Sequence, residues 1–405
     1  MGEVSEQSTA RRAHGIHDWE PLRRVTWLEL FCDLVFVVAV ARLGALLHDD
    51  HSARGVAAFA GLLIAVWWLW SSFSYFADLF DDDGPIQRGV QLLAGLGAAV
   101  LAVTLTDGFD RHSARFAAVY AALLALLTAM YAVEGRAEPR AAELCRWYVA
   151  GSATGASLWA VSLLVPTPGR YAVWCVALVA HAAICGPIAY TRMREPPHQI
   201  SHMPERFGLF TILVLGEAVW STVNGIALSG WNAAAVTVAL AGYFIAAGMW
   251  WVYFVGYDEA AINRVLASGR GAQLRGFLYG YGHPLIYAAI VATGIGVELA
   301  AEAAVHHEAV RLPLFGAAQA TLILGFILVS TGIGLTGGGD RATRAVLLSI
   351  KVTLGVGALA LSLLVPAPTF VVAVVAVGWV SLVFAEIVSA RRARSLVNDV
   401  DVRRD

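Results

Sequence analysis

The sequence contains little charge, since Asp, Glu, Lys and Arg make up only 14% of its 405 residues. Soluble globular domains carry about 25% charged residues, so this composition excludes an ordinary soluble protein. Cysteine is also rare. The four cysteines lie in or beside apolar stretches without metal-ligand spacing, which favours buried free thiols; they are Cys32, Cys145, Cys175 and Cys185.

Several chemical signatures are missing as well. The sequence has no glycine-rich phosphate loop, no zinc-ligand spacing and no serine-nucleophile elbow. No basic stripe indicates binding to nucleic acid. The stretch VHHEAV (305–310) could hold a metal, but a solvated outer loop is the better interpretation of it. We therefore predict no metal, no cofactor and no nucleic-acid partner.

Apolar residues are abundant and make up 58% of the chain. They fall in blocks of about 20 residues, the length that an α-helix needs to cross the hydrocarbon core of a bilayer. The blocks predict an all-α, polytopic membrane protein with about twelve transmembrane helices. The predicted segments are 24–47, 57–77, 88–106, 114–133, 144–165, 170–190, 206–228, 233–257, 277–300, 312–336, 344–365 and 369–389.

The placement of arginine predicts the orientation of these segments. If the odd-numbered segments run outward, most basic residues lie on the cytoplasmic side. Those on the opposite side are Arg54, Arg111, Arg115, Arg170 and Arg311. Both polar ends, 1–23 and 391–405, are then cytoplasmic, and no cleaved signal peptide is expected.

The chain also shows signs of an internal duplication. SLLVPTP (162–168) and SLLVPAP (362–368) match at six of seven positions, and an offset of 183 residues pairs WW at 67–68 with WW at 250–251. In a chain so rich in Ala, Val and Leu, chance matches are the alternative. A true repeat predicts two six-segment halves, 24–190 and 191–390, related by an axis along the membrane normal.

Acidic residues inside the predicted segments are candidates for function, because a charged side chain in hydrocarbon costs at least about 2.5–3.5 kcal/mol. Glu29 and Asp33 in LELFCDL (28–34) project from one helical face. Two like charges this close do not both ionise easily in a low dielectric, which suits a site that exchanges a proton or binds a cation. The alternative is that these acids cap the start of the helix. This alternative fits Glu29 better than it fits Asp33.

Glu217 lies near the middle of the seventh segment. The 183-residue offset places Asp33 one residue from the position of Glu217, so we predict that the two acids face a shared interior cavity. Glu29 would lie one turn closer to the cytoplasm, where it could relay protons or pair with Arg206. A protonated Glu217 bonded to a neighbouring helix is the structural alternative. Asn224 shares its helical face.

Two other polar residues allow two interpretations each. His283 in YGHP (281–284) either passes protons near neutral pH or is a satisfied core histidine. Arg42 lies roughly opposite Asp33 on its helix, so it either extends to the membrane surface or neutralises an acid of another segment.

Two aromatic clusters, WWLWSSFSYF (67–76) and WWVYF (250–254), are typical of an interfacial belt. Alternatively they line a cavity and hold an apolar or cationic ligand by ring contact. In that case the substrate-binding residues, together with Asn224, are Trp67, Trp68, Trp250, Trp251 and Tyr253.

Four stretches together resemble the bacterial low-temperature-requirement A family: VTWLELFCDLVFVVAVARL (25–43), SHMPERFGLFTILVLGEAV (201–219), WWVYF and YGHP. The likeness covers roughly residues 20–390. This chain departs from the usual pattern at Cys32, where the family has Phe, and at Arg42. The resemblance implies an integral protein of the bacterial inner membrane, and its motif residues here are Glu29, Asp33, Glu205, Arg206, Glu217 and His283. The family name reports a growth phenotype and implies no mechanism.

Three functions are compatible with these features. The first is a proton- or cation-coupled secondary transporter, with Asp33 and Glu217 as exchanging carboxylates. The second is a membrane enzyme acting on a lipid or isoprenoid, with a protonated acid as general acid and tryptophans that stabilise a carbocation. The third is a non-catalytic membrane protein linked to cold growth. The expected partners are the lipid bilayer and a small ion, small molecule or lipid; the sequence does not predict an oligomeric state.

Overall fold

A computed structural model of the chain describes residues 25–80, 84–105, 109–193, 202–228, 231–255, 262, 272–332 and 341–401. Within these residues the protein is all-helical and has no strands, as predicted. The long helices are α1 (Trp27–Asp49), α2 (Ala53–Leu79), α3 (Pro85–Val103), α4 (Phe109–Ala137), α5 (Ala142–Val161), α6 (Gly169–Ala183), α7 (Met203–Leu228), α8 (Ala233–Phe254), α9 (Ala272–Val305), α10 (Pro313–Gly332), α11 (Arg341–Leu364) and α12 (Pro368–Asp401).

Local sequence signals explain where several helices begin and end. Pro85 starts α3, and the side chain of Asn232 accepts the N–H of Ala234 at the start of α8. The two Pro-x-Pro sequences, 166–168 and 366–368, follow the 3₁₀ turn Ser162–Leu164 after α5 and the last residue of α11, where proline prevents the helix from continuing. In the turn before α2, hydrogen bonds from Ser52 hold the pKa of the exposed Asp50 carboxyl below its usual range.

Eleven helical spans in the described residues are long and apolar enough to cross a membrane, which agrees with a multi-pass membrane protein. One of them is α6 together with the helical turns that continue it to Arg192. The exception is α5, the predicted segment 144–165. It contains Glu143 and Arg146 in its first turns and several glycine and hydroxyl residues after them, so its mean hydropathy is lower. The helix is nevertheless present where the twelve-segment pattern predicts it. The polar segment 1–23 lies outside the described residues.

The contacts divide the chain into two units. Unit 1 comprises the described residues of Met1–Leu46 and Ile64–Arg206. Its helices α4, α5 and α6 pack around buried aromatic rings. Tyr120 and Trp159 stack with 4.1 Å between ring centroids, and Trp174 lies 4.7 Å from Trp159. This aromatic core explains why α5 is retained as a helix in spite of its modest hydropathy.

Unit 2 comprises Leu47–Leu63 and the described residues of Phe207–Asp405, and it is built around α9. In α9, 83% of the most apolar stretch is buried, whereas in α11 only 17% is. A Cβ at Gly296 of α9 would lie 2.7 Å from the Cβ of Phe315, so glycine permits the close approach of α10. The large apolar side chains that α11 leaves exposed are Val346, Leu348, Val352 and Val356. Such a surface suits a lipid environment.

The six-plus-six duplication and the cytoplasmic position of both termini remain predictions. Each unit contains buried polar residues, and we look for a functional site among them.

Candidate functional site

Asp33 is completely buried in unit 1, with 0% of its surface exposed. Its Oδ1 accepts hydrogen bonds from Trp70 Nε1 at 2.7 Å and from Arg206 Nη2 at 2.8 Å. Its Oδ2 is also buried and has no hydrogen-bond partner among the described residues. The carboxylate therefore faces the protein interior with one oxygen bonded and the other available.

Arg206 supplies the positive charge at this site. Besides the bond to Asp33, its Nη1 donates to the carbonyl of Ser74 at 3.3 Å and lies 3.8 Å from Glu29 Oε1. Its buried Nε has no hydrogen-bond partner in the described part of the chain. At the start of α7, Asp78 Oδ1 of α2 accepts the backbone N–H of His202 at 3.0 Å. This contact holds the first turn of α7, and hence Arg206, against α2.

Glu29 uses its two oxygens for two different purposes. Oε2 accepts the backbone N–H and the hydroxyl of Thr26 at 2.8 and 3.0 Å, and Thr26 Oγ1 accepts the N–H of Glu29 at 3.3 Å. This is a capping box at the start of α1. Oε1 meanwhile faces Arg206. The predicted pairing with Arg206 and the alternative role as a helix cap are thus both observed.

Glu29, Asp33 and Arg206, named here the acid–arginine cluster, line a cavity of about 30 Å³. About 10–15 Å³ is enough for one water molecule, so the cavity has room for one or two. Other lining residues include Cys32, Trp70 and Ser74, and the buried Oγ of Ser74 also lacks a partner among the described residues. Buried polar atoms rarely remain unbonded, so this space is suited to hold water.

Glu217 is half-buried on α7 in unit 2, and no hydrogen bond or ion pair joins its carboxyl to the described residues. It is not among the residues that line the cavity at Asp33. A cavity shared by Asp33 and Glu217 stays a prediction. Asn224, expected on the face of Glu217, donates from Nδ2 to Glu298 Oε1 at 2.6 Å.

His283 is completely buried in unit 2 and is bonded through both ring nitrogens. Nδ1 lies 2.7 Å from the carbonyl of Tyr279 and Nε2 lies 2.8 Å from the hydroxyl of Tyr253. Because a carbonyl only accepts, Nδ1 carries the proton and Nε2 accepts from Tyr253. The ring also stacks on Phe207, with 4.3 Å between centroids. These contacts are those of a satisfied core histidine.

The tryptophan clusters differ in exposure. Trp67 is buried, and Trp68 Nε1 donates to His181 Nδ1 at 2.9 Å, whereas Trp250 is 42% exposed and Trp251 is half-buried. The residue that bonds Asp33 is Trp70, which was not singled out by its sequence context. The sequence did contain an indication of its role. Trp70 and Ser74 are four residues apart, so their two polar groups share one face of α2.

Arg42 and Glu205 are less buried than the acid–arginine cluster. Arg42 is exposed, and its extension to the membrane surface stays a prediction. Glu205 is half-buried, with Oε2 3.9 Å from His202 Nδ1.

Comparison with known proteins gave two matches. A family model described as "Bacterial low temperature requirement A protein (LtrA)" matches residues 24–386. The "Uncharacterized protein RA0937" of Rhizobium meliloti (strain 1021) is 29% identical over 288 residues, which cover 68% of this chain and 69% of that protein. No solved structure matches this chain.

Proposed function

The chain belongs to the bacterial low temperature requirement A family of membrane proteins, and from this premise we propose that it is a proton-coupled secondary transporter. The acid–arginine cluster is the coupling site in this proposal, and Asp33 is the carboxylate that exchanges the proton. One observation carries the proposal: the fully buried Asp33 keeps a free oxygen beside a second acid in a cavity of water-molecule size.

The charges of the cluster support proton exchange. Two carboxylates face one guanidinium, so the three groups together carry a net charge of −1 when both acids are ionised. Asp78 adds further negative charge near Arg206. A net charge is costly within a membrane-spanning region. Uptake of one proton neutralises the cluster, and Arg206 disfavours a metal cation in the same place.

The size of the cavity bears on the alternative of a lipid-modifying enzyme. Pockets for drug-sized ligands measure about 300–1,000 Å³, far more than the roughly 30 Å³ beside Asp33. The cavity therefore favours the exchange of a proton over general-acid catalysis on an isoprenoid chain.

Glu217 and His283 take secondary roles in the proposal. Glu217 is a second exchanging carboxyl, since it is half-buried without a partner among the described residues. His283 is a positioning residue that holds Tyr253, because both of its nitrogens are bonded. Substrate contacts with Trp67, Trp68, Trp250 and Trp251 remain a prediction.

The test uses the purified protein in liposomes that contain a pH-sensitive dye and carry an imposed proton gradient. Alkali cations, amino acids and organic acids are added one at a time. We expect at least one of them to dissipate the gradient faster than in protein-free liposomes, and Asp33→Asn to abolish the difference. Asp49→Asn is the matched control, because Asp49 lies on the same helix with 81% of its side chain exposed.

Two results would contradict the proposal. One is uptake of a panel compound at a rate that is independent of the proton gradient. The other is a gradient-dependent rate that Asp33→Asn leaves unchanged while the variant retains wild-type helical content.

A further inference from the structure

A second pair of acids, unnoticed in the sequence, lies on α9 in unit 2. Glu298 and Glu302 are four residues apart and face His48, in the last turn of α1. One ligand atom from each of the three residues lies within 4.8 Å of the others. Glu298 is buried, whereas the side chains of Glu302 and His48 are 38% and 30% exposed. We name these three residues the histidine–glutamate cluster.

The contact between His48 and Glu302 has an unusual geometry. Nε2 of His48 lies 3.3 Å from Oε1 of Glu302, yet this buried nitrogen makes no hydrogen bond to any described residue. The two atoms are thus close without forming a hydrogen bond. Two ligand atoms that each lie about 2.0–2.2 Å from one metal ion are roughly 3.0–3.6 Å apart. The observed separation of 3.3 Å falls within this range.

Glu298 is oriented by a residue from another helix. Asn224 of α7 donates from Nδ2 to Glu298 Oε1 at 2.6 Å. Such bonds from outside the ligand set hold a carboxylate in place for a metal ion. The second oxygen of Glu298 remains available for coordination.

Charge and access also favour a cation. Like charges four residues apart on a helix repel each other, and two ionised glutamates exceed the charge of one imidazolium. A cavity of about 580 Å³ reaches the cluster at Glu302, and its walls include His51, His306 and Glu308. This cavity provides an entry path and room for the water molecules that complete a coordination sphere.

We propose that His48, Glu298 and Glu302 bind a divalent transition-metal ion of the zinc or manganese class. An imidazole nitrogen suits zinc, iron and nickel, whereas carboxylates suit manganese, magnesium and calcium. The mixed set selects zinc or manganese over the alkaline-earth ions. This proposal differs from the prediction of no metal made from the sequence, and it does not depend on the proposed transport function.

The experiment is a titration of the full-length protein, purified in detergent without an affinity tag, with Zn²⁺, Mn²⁺ and Mg²⁺ by calorimetry. We expect Zn²⁺ or Mn²⁺ to bind at one ion per chain and Mg²⁺ to bind at least tenfold more weakly. Glu302→Gln and His48→Gln should each weaken binding of the preferred ion by at least tenfold. The matched controls Glu308→Gln and His306→Gln, which alter neighbouring groups on the cavity wall, should leave the affinity unchanged.

Glu302 is partly exposed, so Glu302→Gln is expected to fold, and its helical content is measured without metal to verify this. A folded Glu302→Gln protein with wild-type affinity would overturn the proposal. So would the absence of saturable binding, a loss of binding in the control variants instead, or Mg²⁺ binding as tight as that of Zn²⁺ and Mn²⁺.

Discussion

Glu29 and Asp33 on α1 have the same spacing as Glu298 and Glu302 on α9, yet the two pairs meet different partners. The first pair faces the guanidinium of Arg206, and the second faces the imidazole of His48. Arginine only donates hydrogen bonds and stays charged, whereas histidine can offer a lone pair. The cavity beside the first pair measures about 30 Å³ and that beside the second about 580 Å³.

The difference teaches that the spacing of two acids does not decide their chemistry. In our proposal, a permanent cation beside a small cavity leaves a proton as the group that Asp33 can exchange. In the second proposal, a histidine side chain and a larger cavity that reaches Glu302 leave a place for a metal ion.

The largest effect is expected from Arg206→Met, because it leaves Glu29 and Asp33 buried without their cation. Removing one partner of a buried ion pair costs about 3–5 kcal/mol, and unfolding of the variant in detergent would measure the loss. Arg42→Met is the control, since Arg42 is exposed and exposed substitutions usually stay within about 0.5 kcal/mol. A similar, small effect of both substitutions would show that the ion pair does not stabilise unit 1.

A smaller loss is expected from Trp70→Phe, which removes the N–H donor to Asp33. A hydrogen bond to a charged group contributes about 1.5–3 kcal/mol, against about 0.5–1.5 kcal/mol for a neutral acceptor. Trp379→Phe is the matched control, because the equally buried Trp379 donates to the neutral Gln319 at 2.8 Å. Equal losses of unfolding free energy in the two variants would argue against an ionised Asp33.

On the other side of the contrast, Asn224→Leu should weaken zinc or manganese binding without changing the stoichiometry. Loss of a bond that orients a ligand typically costs about 10–100-fold in metal affinity. Calorimetric titration of the variant measures this shift. An unchanged dissociation constant would mean that the Asn224–Glu298 bond at 2.6 Å has no part in the site.

The smallest effect is expected from Glu217→Gln. Glu217 has no hydrogen-bond partner among the described residues, so its neutralisation should change the free energy of unfolding by less than about 0.5 kcal/mol. A loss well above 1 kcal/mol would reveal a structural bond and would remove Glu217 from the transport proposal.

Much of the fold could be predicted from the sequence, because apolar blocks of spanning length report helices directly. The shared face of Glu29 and Asp33 also follows from their spacing, and the family motifs drew attention to Arg206. The partnership of Asp33 with Arg206 crosses 173 residues of sequence, and no periodicity within one helix encodes it. The meeting of His48 with Glu302 was missed for the same reason.

The ion pair between Asp33 and Arg206 changes the expected effect of neutralising Asp33 on stability. From sequence, neutralising Asp33 or Glu217 should leave stability intact or raise it, because a buried charge is removed. The ion pair with Arg206 alters this expectation for Asp33, since Asp33→Asn leaves the guanidinium with Glu29 at 3.8 Å as its nearest carboxylate. For Glu217, which has no such partner, the expectation stands.

The central claim is that the acid–arginine cluster takes up and releases one proton, and infrared spectroscopy of the carboxyl C=O stretch during a pH titration tests it most directly. We predict that the wild-type protein shows a carboxyl band that appears as the pH falls, persists in Asp49→Asn, and is lost or shifted in Asp33→Asn. Identical titrations of the wild type, Asp33→Asn and Glu29→Gln would show that neither acid exchanges a proton and that the cluster only joins helices.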